Sequence, residues 1–547
     1  MTRNPSPQTC RPSLEALADA ARSGSLPRRE FLALASVLGA SAAAAYGMLG
    51  LAAPARAEGT PVRGGTLRVA MQIKNIADPR LYDWPEMANV ARQFCETLVR
   101  WEPDFTFSGQ LLEGWEVSED ARTYRLTLRQ GVTWTNGDAF TAEDVAYNIA
   151  RWCDRGAEGN SMATAMSSLI DADSGQLAKG VIEIEDDHTV ILNLPRADIS
   201  LIPAFSDYPA LIVHRSFEEA GGDLSANPLG TGPFELEEIE IGVQAIVKRR
   251  ENGAWWGGEA PLDAIEFLDF GTDASATLNA LEAEEAHLND ESPADLLDQL
   301  DAIGLVRQEK ETAQTIVARM NVGQAPYDDP AVRRAVQQIV DNATVLALGL
   351  NNLGLVAENH HVGPMHPEYA DIGAPPHDPE AGVAAIAAAG HAETEFELIS
   401  IDGDFQRTTM DAVAGQLRAA GLKVTRTVIP GATFWNNWTA YPFSATDWGG
   451  RPLGVQVLAL AYRSGEAWNE TGFADADFDA GLDEALATFD ADARRAVMER
   501  LETALRDSGV IIQPYWRKLY LHHVPELKGY ERHQAREMHL DGAWLES

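Results

Sequence analysis

Cysteine is nearly missing from this chain, with three in 547 residues. Cys10 stands near the start, and Cys95 and Cys153 are far apart, so neither a disulfide framework nor a zinc-ligand spacing is present. Cys95 and Cys153 can pair in an oxidising compartment. Both fall on predicted helices with apolar neighbours, which favours buried free thiols. Base is scarce as well: 43 Lys and Arg stand against 82 Asp and Glu, a net charge of −39. Such a surface repels phosphate backbones and anionic lipid, which argues against a nucleic-acid partner. The chain also lacks a G-x-S-x-G elbow, an H-E-x-x-H pair and a G-x-x-x-x-G-K-[ST] loop. A hydrolase whose catalytic groups are scattered along the chain stays open. Low-complexity tracts and solenoid-length repeats are absent too.

What is there is a large apolar complement. Hydrophobic residues make up 45% of the sequence, enough to bury a sizeable core, and the length implies two or more lobes. One long apolar stretch stands out, Phe31 to Ala53, preceded by Arg28-Arg29 in LPRREFLALAS and followed by Ala55-Arg56-Ala57. Paired arginines, a modest apolar run diluted by Ala and Gly, and an A-x-A pattern resemble a twin-arginine export signal cleaved after Ala57. The expectation is therefore a periplasmic protein whose residues 1–57 are a signal peptide. An uncleaved membrane anchor is the alternative, since the stretch is long enough to span. Cys10 precedes the apolar stretch, so a lipid-anchoring role is excluded. Six bases and three acids lie in the first 57 residues, so removing them makes the protein still more acidic.

Beyond the leader, helix and strand signals alternate. Leu67 and Val69 alternate with polar residues in GGTLRVAM, and Tyr124, Leu126 and Leu128 do so in RTYRLTLRQG. Thr141 with Asp144 three residues on reads as a capping box for a helix carrying Val145, Ile149 and Trp152 on one face. Asp329-Pro330 and Asp378-Pro379 open two further helices. Asp490 opens another, with Val497, Leu501 and Leu505 along it and Gly509 closing it. Among the histidines, His360, His361 and His366 in ENHHVGPMHPEY lie close enough to hold a metal. No carboxylate-rich loop or cysteine accompanies them, so surface or hinge histidines are expected. His522-His523 carry less information still.

The run LLEGWEVSEDARTYRLTLRQGVTWTNGDAFTAEDVAYNIARW, Leu111 to Trp152, resembles the signature of the large extracytoplasmic solute-binding proteins of ABC importers, family 5. That family includes oligopeptide-, dipeptide- and nickel-binding proteins. The likeness recurs in FCETLVRW at Phe94, NPLGTGPFEL at Asn227, MNVGQAPYDDPAVRRAV at Met320, HDPEAGVAAIAAAG at His377 and GFADADFDAGLDEAL at Gly472. It departs at RRENGAWWGG, Arg249 to Gly258, where the family usually has R-N-P-x-Y-W-G-G. The resemblance implies an α/β fold, a two-lobed periplasmic-binding-protein-like (type II) clamp with an extra subdomain inserted in the first lobe. Lobe I would take 58–105, 223–316 and 510–547, the insert 106–222, and lobe II 317–509. It further implies a monomer without cofactor or bond-making chemistry, which closes on a peptide or other small-molecule ligand and hands it to permease subunits in the inner membrane. A metal-chelate or haem carrier is a rival on the same fold, and an exported hydrolase is a rival of another class.

The resemblance also picks out residues. In peptide-binding members an aspartate follows a tryptophan by three residues and holds the peptide's free amine. In TDWGGRPLG, Trp448 is kept, but the aspartate's place is taken by Arg451. A buried guanidinium repels an ammonium and pairs well with carboxylate or phosphate, so an anionic group is expected there. The other reading has Arg451 pair with Asp447 or Glu466 and brace the loop. With Asp447, Trp448 and Arg451 of that stretch, Tyr82 and Trp84 in the irregular segment after the first strand, Tyr462 and Arg463 in LAYRSGEAW, and Asn469 in AWNETGF make up the candidate ligand-binding set. Trp435 and Trp438 form either a helix face in the core or a cleft wall, with the core favoured.

Overall fold

The computed structural model describes residues 14–24, 26–53, 59–250, 255–435 and 437–546. The expected cleavage pattern Ala55–Ala57, the expected mature start at Glu58, Cys10 and the departing Glu251–Ala254 lie outside the described residues. The chain forms two units, Met1–Lys310 with Leu519–Ser547, and Glu311–Lys518. It passes from one to the other within the strands Val306–Met320 and Tyr515–His523.

In the first unit the expected strand Thr66–Ala70 lies between Ala264–Leu268 and Leu288–Asn289, parallel to both. Leu67 and Val69 are wholly buried in the core, as their alternation implies. An antiparallel hairpin, Phe234–Glu240 and Gln244–Arg249, extends the sheet beside Ala264–Leu268. A separate four-stranded antiparallel sheet carries the second expected strand, Thr123–Leu128, between Leu112–Val117 and Thr189–Asn193. The helix Ala142–Trp152 starts where its box predicts: the backbone N–H of Thr141 donates to Asp144 Oδ2 at 2.9 Å. Val145, Ile149 and Trp152 are fully buried along it, each stabilising the fold by about 1.5–3 kcal/mol.

Among the described residues no helix is long and apolar enough to cross a membrane. The apolar stretch after Arg29 is broken into two helices, Arg28–Val37 and Ala42–Met48, by a turn at Gly39, whose φ of 93° suits glycine. Both Cys95 and Cys153 are free and buried. Cys95 lies four residues past the helix Pro85–Ala91 rather than on it, and Cys153 caps Ala142–Trp152.

The second unit is built on Glu395–Ile401, which pairs parallel with both Lys423–Ile429 and Phe443–Trp448. Residues Thr315–Met320 run antiparallel along the far side of Phe443–Trp448. Its helices start as the Asp-Pro and Asp signals require. Asp329 accepts from Ala331 N at 2.7 Å, Asp378 from Ala381 N at 3.0 Å, and Asp490 from Ala493 N at 2.7 Å. Gly509 ends the helix Ala491–Ser508 in the left-handed conformation.

Candidate functional site

TDWGGRPLG leaves the end of an inner strand. Phe443–Trp448 has neighbours on both edges and is buried almost throughout, which explains its small residues Ser444, Ala445 and Thr446. Trp448, at its end, donates its indole N–H to Glu470 Oε1 at 2.9 Å. The other oxygen of Glu470 accepts from Thr446 Oγ1 at 2.6 Å and from Arg319 Nε at 3.1 Å. All four side chains are buried. Burial pushes the Glu470 carboxyl up from its usual range, while Arg319 opposes that shift. Arg319 also donates to the carbonyls of Tyr441 and Trp438.

The loop then presses against its own unit. A Cβ on Gly450 would stand 3.1 Å from the Ala313 carbonyl carbon, and one on Gly454 would stand 2.6 Å from Val362 Cγ1. Glycine is what permits both approaches. Between them Arg451 is only 8% exposed, its Nη1 3.4 Å from the Gly449 carbonyl. Asp447, on the strand, is half-buried and accepts from Gln406 Nε2 at 3.3 Å.

Around Trp448 the rings gather edge to face: His361 at 5.5 Å, Trp468 at 5.9 Å and Trp438 at 6.2 Å between centroids. Tyr462 is buried here, its hydroxyl 2.8 Å from His361 Nδ1. A surface position for these histidines is corrected, since His360, His361 and His366 are all buried. His361 and His366 are pushed down to about 3, chiefly by loss of solvation, and the positive charge of Arg451 adds to the effect on His361. Both are neutral imidazoles at physiological pH. They point to different partners rather than to one centre: His360 meets Glu358 at 2.8 Å, and His366 Nδ1 accepts from Gly363 N at 2.9 Å.

Other expected residues have local duties. Arg463 pairs with Asp483 at 3.0 Å. Asn469 spends its amide on the carbonyls of Arg463 at 3.0 Å and Phe473 at 2.7 Å, and its oxygen accepts from Thr471. Trp435 and Trp438 are half-buried with rings 6.1 Å apart, on a short helix end and a 3-10 turn instead of one helix face. In the first unit Tyr82 is corrected from ligand-facing to core. It is 0% exposed, and its hydroxyl donates to the Ile76 carbonyl at 2.9 Å. Trp84 is half-buried beneath Lys74, whose Nζ lies 4.5 Å from the ring centroid.

Two clusters in the first unit escaped the sequence reading. Ser292 Oγ lies 2.8 Å from His522 Nδ1, and His522 Nε2 lies 3.0 Å from Asp301 Oδ1. The order of groups is that of a hydrolase triad, but Ser292 and His522 are buried. Ser292 Oγ also accepts from Asn289 Nδ2 at 2.9 Å, and its N–H is taken by the Tyr520 carbonyl. A nucleophile needs access and a free amide at its oxyanion, so this chain of bonds is a brace. His533, Glu537 and His539 bring ligand atoms within 4.8 Å of one another. His533 is already bonded to the Trp101 carbonyl and the Ala535 N–H, and Glu537 to Arg92 and His539. A divalent ion would have to displace these bonds and face the guanidinium of Arg92, so the residues do not fit a metal.

Comparison with known proteins completes the picture. Residues 106–470 match the bacterial extracellular solute-binding proteins, family 5 Middle, a span of well over half the chain. The chain is 25% identical over 470 residues to the glutathione-binding protein GsiB of Salmonella typhimurium (strain LT2), covering 81% of this chain and 86% of that one. Haemophilus influenzae OppA in complex with RPPGFSPFR aligns with a TM-score of 0.79 at 18% identity, covering 89% of this chain and all of that one. AgaA of A. tumefaciens R10 in complex with agropinic acid aligns at 0.78 and 21% identity, covering 88% and 99%. The structural likeness shows the expected two-lobed α/β fold. The chain belongs to the bacterial extracellular solute-binding proteins of family 5.

Proposed function

We propose that this protein is the exported solute-binding subunit of an ABC importer, which captures a peptide-like or other small organic solute carrying an acidic group and delivers it to the membrane permease. Family membership supports the binding role. The observation that carries the ligand class is Arg451, a nearly buried cation near the neutral His361 and His366, at the position where, by resemblance, peptide-binding members place their amine-holding aspartate. Desolvation strengthens its pairing with a carboxylate and makes it hostile to an ammonium. Trp448 offers apolar area at low entropy cost beside it. Asp447 precedes Trp448 on the strand, Tyr462 bonds His361 beside it, and Arg463 and Asn469 hold the neighbouring segment in place. Relatives support an acidic or peptide-like ligand: one is named for glutathione, and another was solved with agropinic acid.

Closure of the lobes on the solute follows from added contacts that only the closed state makes, and the role needs no bond to be made or broken. The mature protein acts in the periplasm after loss of residues 1–57. The test is thermal stabilisation by the copurified solute. Arg451→Asp removes most of the shift, read against the variant's own unliganded midpoint. An unchanged shift would reduce Arg451 to a brace.

A further inference from the structure

The N-terminal arm is folded onto the first unit, although an export leader is expected to hang free. Along the helix Arg28–Val37, Phe31, Leu32, Leu34, Ala35 and Val37 are buried. Three hydrogen bonds tie polar atoms of the arm to the body. Ser36 Oγ accepts from the backbone N–H of Phe107 at 3.0 Å, and the Val37 carbonyl accepts from the indole N–H of Trp115 at 2.9 Å. Tyr46, on Ala42–Met48, donates to Asp104 Oδ2 at 3.0 Å. At the turn between the two helices, a Cβ on Gly39 would stand 2.6 Å from the Trp115 carbonyl oxygen. Backbone meets backbone there. Both leader arginines rest on rings: Arg28 lies 5.1 Å from the Tyr46 centroid, and Arg29 lies 4.2 Å from that of Phe105.

Shape, hydrogen bonds and the Arg29–Phe105 contact thus agree on one occupant for the surface formed by Phe105, Phe107 and Trp115, while Arg28 is exposed and rests on Tyr46 of the arm itself. We propose that residues 28–49 dock intramolecularly on this surface in the precursor, holding the paired arginines in a closed form until the arm detaches. The proposal rests on reading residues 1–57 as an export leader. Because the surface exists only once residues 104–117 have folded, the closed form marks a folded body. Export is then gated by the opening of the arm, and removal of the leader uncovers the apolar surface.

The test uses full-length precursor from an export-deficient cell. Gly39→Val puts a β-branched side chain into the Trp115 carbonyl at a positive φ and forces the arm off, while the substituted residue belongs to the arm and every residue of the body is kept. In wild type, trypsin cleaves after Arg28 and Arg29 at least tenfold more slowly than in Gly39→Val, and amides 31–38 are protected from hydrogen exchange. Processing in export-competent cells is faster in the variant. Phe31→Ser with Leu34→Ser, also confined to the arm, gives the same loss of protection from trypsin and exchange by removing the apolar contact; processing is compared only in Gly39→Val, because Phe31 and Leu34 belong to the export stretch itself. Equal cleavage in wild type and both variants, or processing no faster in Gly39→Val than in wild type, would overturn the proposal. The importer reading is judged separately on protein beginning at residue 58: lack of solute binding there contradicts that reading and leaves the arm untouched.

Discussion

Glu470→Gln is the sharpest probe of how the second unit holds Trp448. Glu470 is buried and accepts from Trp448, Thr446 and Arg319 at 2.9, 2.6 and 3.1 Å. A glutamine keeps the shape but turns one acceptor into a donor, so either Trp448 or the Arg319–Thr446 pair faces an N–H. More important, Arg319 loses its counter-ion at 0% side-chain exposure. Breaking a buried ion pair from one side costs about 3–5 kcal/mol, because the remaining charge cannot recover its solvation. The carbonyls of Tyr441 and Trp438 still accept from Arg319, which puts the expected loss near the low end, about 3 kcal/mol. The assay is urea unfolding followed by tryptophan emission, reading the midpoint of the transition that reports the second unit. Replacing Arg319 by Met together with Glu470→Gln recovers most of the loss, since no lone charge is left. A loss under about 1 kcal/mol would refute the reasoning, since that is the size of a solvent-exposed pair.

Four further outcomes are expected. His361 is held near 3, below its unfolded value of 6.5, so its contribution is present above 6.5 and is lost as pH falls from there toward 3. His361→Gln therefore flattens the fall of unfolding free energy with decreasing pH by about 1.4 kcal/mol per unit near pH 5; an unchanged slope contradicts a neutral buried imidazole. Gly509→Ala, at φ 71° with a Cβ 2.6 Å from Arg334 N, lowers stability by about 1–3 kcal/mol in the same unfolding assay, and a neutral result refutes the strain. Burial pushes the thiols of Cys95 and Cys153 up, so both react with a disulfide reagent only in denaturant, and a protein mass short of two hydrogens would show them paired. Ser292→Ala lowers the melting temperature without altering solute binding, and loss of any turnover on this change would establish a hydrolase instead.

The helices and strands were legible because their signals are local. Asp329, Asp378 and Asp490 cap from adjacent positions, and the alternation of Leu67 with Val69 needs only a pleat. The site was legible only in part, because its contacts join distant stretches. Tyr82 and Trp84 share one irregular segment, yet one is sealed in a core and the other stays half-exposed, a difference set by what packs over them. The histidines show the same limit. Nothing in ENHHVGPMHPEY reveals that His361 will meet Tyr462 and Trp448. Glu470 went unremarked beside Asn469, because its partners Trp448, Thr446 and Arg319 stand far from it in the sequence. The Ser292–His522–Asp301 chain spans three sequence regions, and no spacing rule joins them.

The central claim is that this chain carries a solute unchanged. Native mass spectrometry of protein purified gently from the periplasm tests it most directly. The account predicts one small organic solute with an acidic group per chain, released intact on denaturation. A bound metal or haem, a covalent adduct, or a peptide whose free amine lies against Arg451 in the crystal of that complex would contradict it.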